Sequence, residues 1–400
     1  MKRWTCWAAL LLALGCGDDS GRDSGGGAVA GSVAGALFDE TVVHRVDLTM
    51  SPADWASIIA DDRGDEYRRC VFAWRGVTLG DVAVRPSGNA TRWAGNLKQP
   101  LKLKFDEYLP DQRLFGMKTL KLDGLIEQTM MRERIVYGVF RTRIPTAPRT
   151  AHTRLYVNGE YRGVYLIEER VSDALLDDRY GKENGNLYRI MVEIPEAFAD
   201  RGPNAASYMP RPFQPETNEL DGDHSVLPLL IDYLHRRPAE LAAIVDVENL
   251  TMFLAMEVGL VSRDGFLRDD GPPQNNHMYF RPATGRFEFI PWDMDQTMSV
   301  TRSEFHFYHN FEKSRIASVV RERPELDAKF RQYLADVVTN LTSPDALFPR
   351  IDEIFAQIRP HVHEDPYKGF SNDEFDGLPN YLKAAVRARY DHLRAQLGLP

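Results

Sequence analysis

The run Gln274-Asn275-Asn276-His277-Met278-Tyr279-Phe280-Arg281-Pro282-Ala283-Thr284-Gly285-Arg286-Phe287-Glu288-Phe289-Ile290-Pro291-Trp292-Asp293-Met294-Asp295 reads as one β-hairpin with chemistry at its open end. Met278-Tyr-Phe280 and Phe287-Glu-Phe-Ile290 are apolar strand stretches, and Thr284-Gly285 supplies the turn between them. A hairpin returns the chain on itself, so residues just before the first strand meet those just after the second. Asp264, Asp269, Asp270, Asn275, Asn276 and His277 therefore approach Trp292, Asp293 and Asp295. Asp293 and Asp295 lie two apart, so in an extended segment both side chains face the same way. A cluster of carboxylates and amides suits Mg²⁺ or Mn²⁺, hard ions that keep waters and recruit phosphate oxygens. His277 reads as a structural or solvent-facing histidine rather than a ligand.

Outward from this hairpin the pattern changes character. Toward the N-terminus strands dominate: Val46 to Met50, Val82 to Arg85, Leu101 to Phe105 and Thr119 to Leu122 alternate, and Asn158-Gly159 joins two further strands in a type I′ turn. Ser51-Pro52-Ala53-Asp54 caps a short helix, and Met130 to Phe140 forms another that Pro145 ends. An antiparallel, strand-rich lobe over residues 41–190 is expected. Residues 191–225 are rich in Pro, Asn and acids without periodicity, the mark of a long surface excursion. Over residues 226–400 helices prevail, at Val226 to His235, Pro238 to Leu260 in two pieces, Pro324 to Asn340, Asp345 to Ile358 and Leu378 to Leu397. The expected class is α+β. No repeat of 20–50 residues is visible, so solenoids and propellers are unsupported.

The first 40 residues are an address and a tether. Lys2 and Arg3 precede an apolar run from Trp4 to Gly15, which has the form of a signal peptide over residues 1–15. Leu12-Ala13-Leu14-Gly15-Cys16 resembles a bacterial lipobox, with Ala13 where such boxes usually carry Leu. That resemblance makes Cys16 the lipidated N-terminus of an extracytoplasmic, membrane-anchored protein, with a Gly/Ser/Asp-rich linker after it over residues 16–40. Of three cysteines, only Cys70 then remains in the body, where its setting is that of a half-buried strand residue, and no intramolecular disulfide is available. Elsewhere in the 400 residues no run reaches the roughly 20 apolar residues of a spanning helix. With 49 Lys+Arg against 58 Asp+Glu, net charge −9 and mean hydropathy −0.38, the chain is a folded globular protein whose partners are cations or basic polypeptides. A nucleic-acid polymer would call for a basic stripe instead.

Several motifs occur in an order that resembles the spore-coat CotH kinase family. They are Arg85-Pro-Ser-Gly88-Asn89-Ala-Thr91, Lys98-Gln-Pro-Leu-Lys102-Leu-Lys104-Phe105, Met130-Met131-Arg132, Val157-Asn158-Gly159-Glu160-Tyr161-Arg162-Gly163-Val164-Tyr165, Gly185-Asn186-Leu187-Tyr188, and Phe289 to Asp295. The resemblance spans about residues 41–310. It implies an atypical protein-kinase-like two-lobe fold that uses ATP and Mg²⁺ or Mn²⁺ to phosphorylate Ser/Thr of secreted or coat proteins. Carried over, Asp264 matches the catalytic aspartate that orients the attacking hydroxyl. Asn276 and Asp293 match metal ligands, and Asp295 is the second carboxylate. The family commonly shows His-Asn where this chain has Asn275-Asn276-His277, so the Asn register is open by one. The insertion Asp269-Asp270-Gly271-Pro272-Pro273 leaves Asp269 or Asp270 as a substitute base.

A nucleotide also needs phosphate donors. Gly88, Asn89 and Gly95 lie between two strands, where backbone N–H groups can approach phosphate. Of Lys98, Lys102 and Lys104, the reading favours Lys104, then Lys98. Two alternatives stay open: a surface-binding lipoprotein on a kinase-like scaffold without turnover, and a metal-dependent phosphohydrolase.

Overall fold

The computed structural model describes residues 33–400 apart from 89, 90, 126, 128, 221 and 270. The signal peptide, Cys16 and most of the linker lie outside the described residues, as do Asn89 and Asp270. The folded body begins before residue 41. A short helix α1 (Val33–Leu37) leads into Leu37 and Phe38, which are buried in the first core, and Glu40 pairs with Arg141 and Arg350.

Seven strands form a closed barrel: β1 (His44–Thr49), β2 (Arg68–Trp74), β3 (Val77–Pro86), β4 (Leu101–Lys104), β5 (Thr119–Asp123), β6 (Thr150–Val157) and β7 (Glu160–Glu168), in the order β1-β2-β3-β4-β5-β7-β6. The expectation of an antiparallel lobe needs one correction. β1 and β6 close the barrel as a parallel pair, with Val46 opposite Leu155. Alternation sends Val46, Leu48, Phe72, Val82, Val84, Leu101, Leu103, Leu120, Leu122, Leu155 and Ile167 inward. Cys70 joins this core rather than staying half-buried, and burial pushes its thiol up to about 12, which leaves it inert. At the β6–β7 turn Asn158 and Gly159 both take positive φ (52° and 82°), and the Asn158 side chain accepts the Met50 N–H at 2.9 Å.

Helix α2 (Pro52–Ala60) links β1 to β2, and α3 (Arg132–Arg141) links β5 to β6. After β7 come α4 (Asp173–Tyr180) and a second sheet of β8 (Asn186–Ile190), β9 (Phe213–Pro215), β10 (Asn276–Arg281) and β11 (Arg286–Pro291), ordered β11-β10-β8-β9 and antiparallel throughout. β8 thus belongs with the 276–291 hairpin and not with the barrel. The 191–225 segment is no pure surface excursion either: Phe213 is buried and β9 adds a strand beside β8. Helices α5 (Val226–His235), α6 (Val247–Gly259), α7 (Arg315–Glu322), α8 (Pro324–Asp336), α9 (Pro344–His363) and α10 (Asn372–Leu397) pack with α3 and the second sheet around a continuous apolar core. The class is mixed α+β, with strands prevailing in the first half and helices in the second. Among the described residues no helix is long and apolar enough to cross a membrane.

Candidate functional site

Between the β3–β5 side of the barrel and the second sheet lies a cleft of about 600 Å³. One side of it is acidic. Asp264 stands on the turn after α6, which is held from beneath by Glu257 of α6: this buried carboxyl accepts the Phe266 N–H at 3.0 Å, and burial pushes it up to about 7. Gly265 permits that approach, since a Cβ there would fall 1.8 Å from Glu257 Oε1. Asp264 Oδ2 accepts the Asn275 amide at 2.7 Å, while Oδ1 meets Arg268 Nε at 3.0 Å and the Gln274 amide. Burial raises its pKa, Gln274 and Arg268 pull against that, and the neighbouring Asp293 adds to the rise.

Asp293 follows β11 with φ +60°, and its N–H donates to the Tyr137 hydroxyl of α3 at 3.0 Å. Tyr137 in turn donates to Glu168 at the end of β7 (3.1 Å). Antiparallel β5–β7 register sets Lys121 opposite Glu168, and Lys121 Nζ lies 2.6 Å from Glu168 Oε2 and 3.2 Å from Asp123 Oδ2. Burial is the strongest single influence on Lys121 and would lower its pKa. Glu168, Asp123, Glu133 and Asp293 together outweigh it and hold the ammonium charged. Burial, then Asp293, pushes Asp295 up to about 8. Glu133 on α3 is raised well above the carboxylate range by burial and by Glu168.

Arg85, Arg92, Lys102, Arg170 and Arg189 also line the cleft, with Glu216 and Glu219 among them, and Arg170 lies 3.5 Å from Glu216. Burial, then Arg170 and Arg85, lowers Lys102 to about 8. Trp292 also lines the cleft, with Lys121 Nζ and the Arg170 guanidinium 5.3 and 5.2 Å from its rings. Behind it His277 is buried, and burial beside Arg189 and Arg170 keeps it neutral.

Asp264, Asp293, Asp295 and Gly88 (φ +83°) all line this cleft. Lys104, Lys98, Asn276 and Asp269, also named from sequence, do not. Lys104 lies on the outer surface, 2.6 Å from Glu107. Lys98 is buried away from the cleft, donating to Val164 O at 2.9 Å and pairing with Asp365 at 2.6 Å. Asn276 is fully buried beside Glu257, and Asn275, with φ +57°, is the amide that reaches the cleft. Asp269 is taken up by Arg302 (2.7 Å) and Arg263 (3.3 Å), so it does not stand in for Asp264. Sequence reasoning missed Lys121, Asp123, Glu133, Glu168, Arg170 and Arg189. The alternation of Thr119 to Asp123 already put Lys121 and Asp123 on one face, but their partners arrive only through barrel register.

A family model described as CotH kinase protein matches residues 84–393. Inner spore coat protein H of Bacillus subtilis (strain 168) is 22% identical to this chain over 283 residues, covering 68% of this chain and 76% of that protein. Every residue that lines the cleft, from Arg85 to Gln296, falls inside the family match, and the chain belongs to the CotH kinase protein family.

Proposed function

We propose that the cleft transfers the terminal phosphoryl group of ATP to a Ser or Thr hydroxyl of an extracytoplasmic protein. The observation that carries this reading is the meeting, in one cleft, of a carboxylate group around a charged lysine and five further cationic side chains. Phosphoryl transfer needs both, because little covalent chemistry falls to the protein and catalysis is positioning plus charge stabilisation. In this reading the barrel is the nucleotide-holding lobe and the helical half the catalytic lobe of an atypical kinase-like fold.

Asp264 orients the acceptor hydroxyl and takes its proton, with Asn275, Gln274 and Arg268 fixing the carboxylate plane. Lys121, Lys102 and Arg170 bind phosphate oxygens, joined by backbone N–H groups of the turn at Gly88. Asn275, Asp293 and Asp295 suit Mg²⁺ or Mn²⁺. The fit rests on their all-oxygen donors and on the raised Asp295, whose carboxyl is crowded by Asp293. Bound there, the ion would neutralise charge on the phosphates. Asn275 replaces Asn276 in this set because only Asn275 reaches the cleft.

Cys16 carries lipid in this account and tethers the body outside the cytoplasm. Purified protein incubated with γ-labelled ATP, Mn²⁺ or Mg²⁺ and a Ser-rich protein tests the activity. Label on protein is the expected result. Free phosphate without labelled protein would mark a hydrolase, and no turnover a scaffold.

A further inference from the structure

We infer that Asp123, Glu133 and Glu168 form a second divalent-cation site at the edge of the cleft, in addition to the Asn275, Asp293 and Asp295 set. The three residues come from three rigid elements, β5, α3 and β7, and one carboxylate oxygen of each lies within 4.8 Å of the others. Donors from packed elements are held in place before an ion arrives, which lowers the cost of assembling the site.

Proximity of carboxylates alone would prove little, and Glu133 adds an independent observation. Its side chain is only 4% exposed, yet Oε1 has no hydrogen-bond partner. A buried carboxylate oxygen left without a partner is costly, and native proteins rarely tolerate one. Lys121 does not satisfy it, since its ammonium is engaged by Glu168 and Asp123. The other charged groups acting on Glu133 are Glu168, Asp123 and Asp295, all acidic.

The donors are oxygens only, so a hard ion is favoured over zinc or copper. Three carboxylates are too few for the six to eight ligands of Ca²⁺, but they match Mg²⁺ or Mn²⁺, which keep waters on the remaining positions. Asp123 and Glu133 open onto the cleft, so those positions face its interior. The site stands whether or not the cleft transfers phosphate.

Counting bound Mn²⁺ by electron paramagnetic resonance on the full chain, without nucleotide, separates the two questions. Wild type should bind two ions, Glu133→Gln one and Asp293→Asn one, with the double variant binding none. One ion in wild type, lost in Glu133→Gln and kept in Asp293→Asn, would support this site and remove the other. Two ions retained in Glu133→Gln, or a single ion lost only with Asp293→Asn, would overturn the inference. Should Glu133→Gln fail to give the wild-type circular dichroism spectrum, Asp123→Asn at the partly exposed rim serves instead, with the same loss of one ion expected.

Discussion

At the scale of single residues, the proposed nucleotide site turns on which lysine meets the acidic cluster. Lys121→Met keeps most of the side-chain length but removes the ammonium in contact with Glu168 and Asp123, so nucleotide affinity should fall about 10-fold or more, the size of a lost charge-assisted contact. Lys104→Met, which only releases Glu107 at the surface, should leave affinity unchanged. Titration calorimetry with a non-hydrolysable ATP analogue measures both. Asp264, Asp293 and Asp295 were legible in the sequence because a hairpin brings its two flanks together, whatever the rest of the fold does. Lysine choice was not legible. Lys102 and Lys104 share a strand face by alternation, yet only Lys102 reaches the cleft. Lys121 acquires its role from Glu168, 47 positions away in the chain, through strand register. Which Asn reaches the cleft has a local reason: Asn275 adopts positive φ just before β10, which turns it toward Asp264 while Asn276 enters the sheet and is buried.

At the scale of elements, the β6–β7 hairpin and the α3–β6 contact carry testable weight. Asn158→Ala removes both the residue that tolerates φ +52° and the acceptor for Met50 N–H, so stability should drop by about 1–2 kcal/mol in urea unfolding. The cleft lies elsewhere, and Mn²⁺ binding should be unaltered. His152 of β6 is fully buried, its Nε2–H donating to Met130 O at 2.7 Å and its Nδ1 accepting from Arg134 at 2.9 Å. Burial, reinforced by Arg134, lowers its pKa to about 3 from the ordinary 6.5. Between those values the unfolded chain binds the proton and the folded chain does not. Its stabilising contribution is therefore complete above pH 6.5 and lost as pH falls toward 3, with a slope up to about 1.4 kcal/mol per pH unit. Melting temperature followed from pH 7 to pH 4 should fall less steeply in His152→Gln. Strong periodicity and turn chemistry made the hairpins and long helices legible. β9 was not, because a three-residue strand that follows one proline and ends on another shows no alternation, and α7 was overlooked although Ile316, Val319 and Val320 mark its buried face.

At the scale of the whole molecule, the sequence conveyed a strand-rich half and a helical half but not the way the first closes. A parallel β1–β6 pairing leaves no local signature, since nothing in either strand's alternation states its direction. Nor could the sequence show that Lys98, before β4, is neutralised by Asp365 from the α9–α10 connection, 267 residues later. That pair is almost wholly buried. Asp365→Ala would strand the ammonium and leave Val164 N–H without its acceptor, so unfolding free energy should fall by about 3–5 kcal/mol in a denaturant titration. The proposed lipid anchor belongs to this scale too: Cys16→Ser should leave the membrane fraction and stop incorporating labelled fatty acid. Phosphoryl transfer by wild type and Asp264→Asn at equal ATP occupancy tests the proposed phosphotransferase cleft and the role of Asp264 in it. The substitution keeps size and some hydrogen bonding while removing the charge that orients and deprotonates the acceptor. The account predicts nearly unchanged ATP affinity and transfer lowered by about 100-fold or more; transfer by Asp264→Asn at the wild-type rate would contradict it.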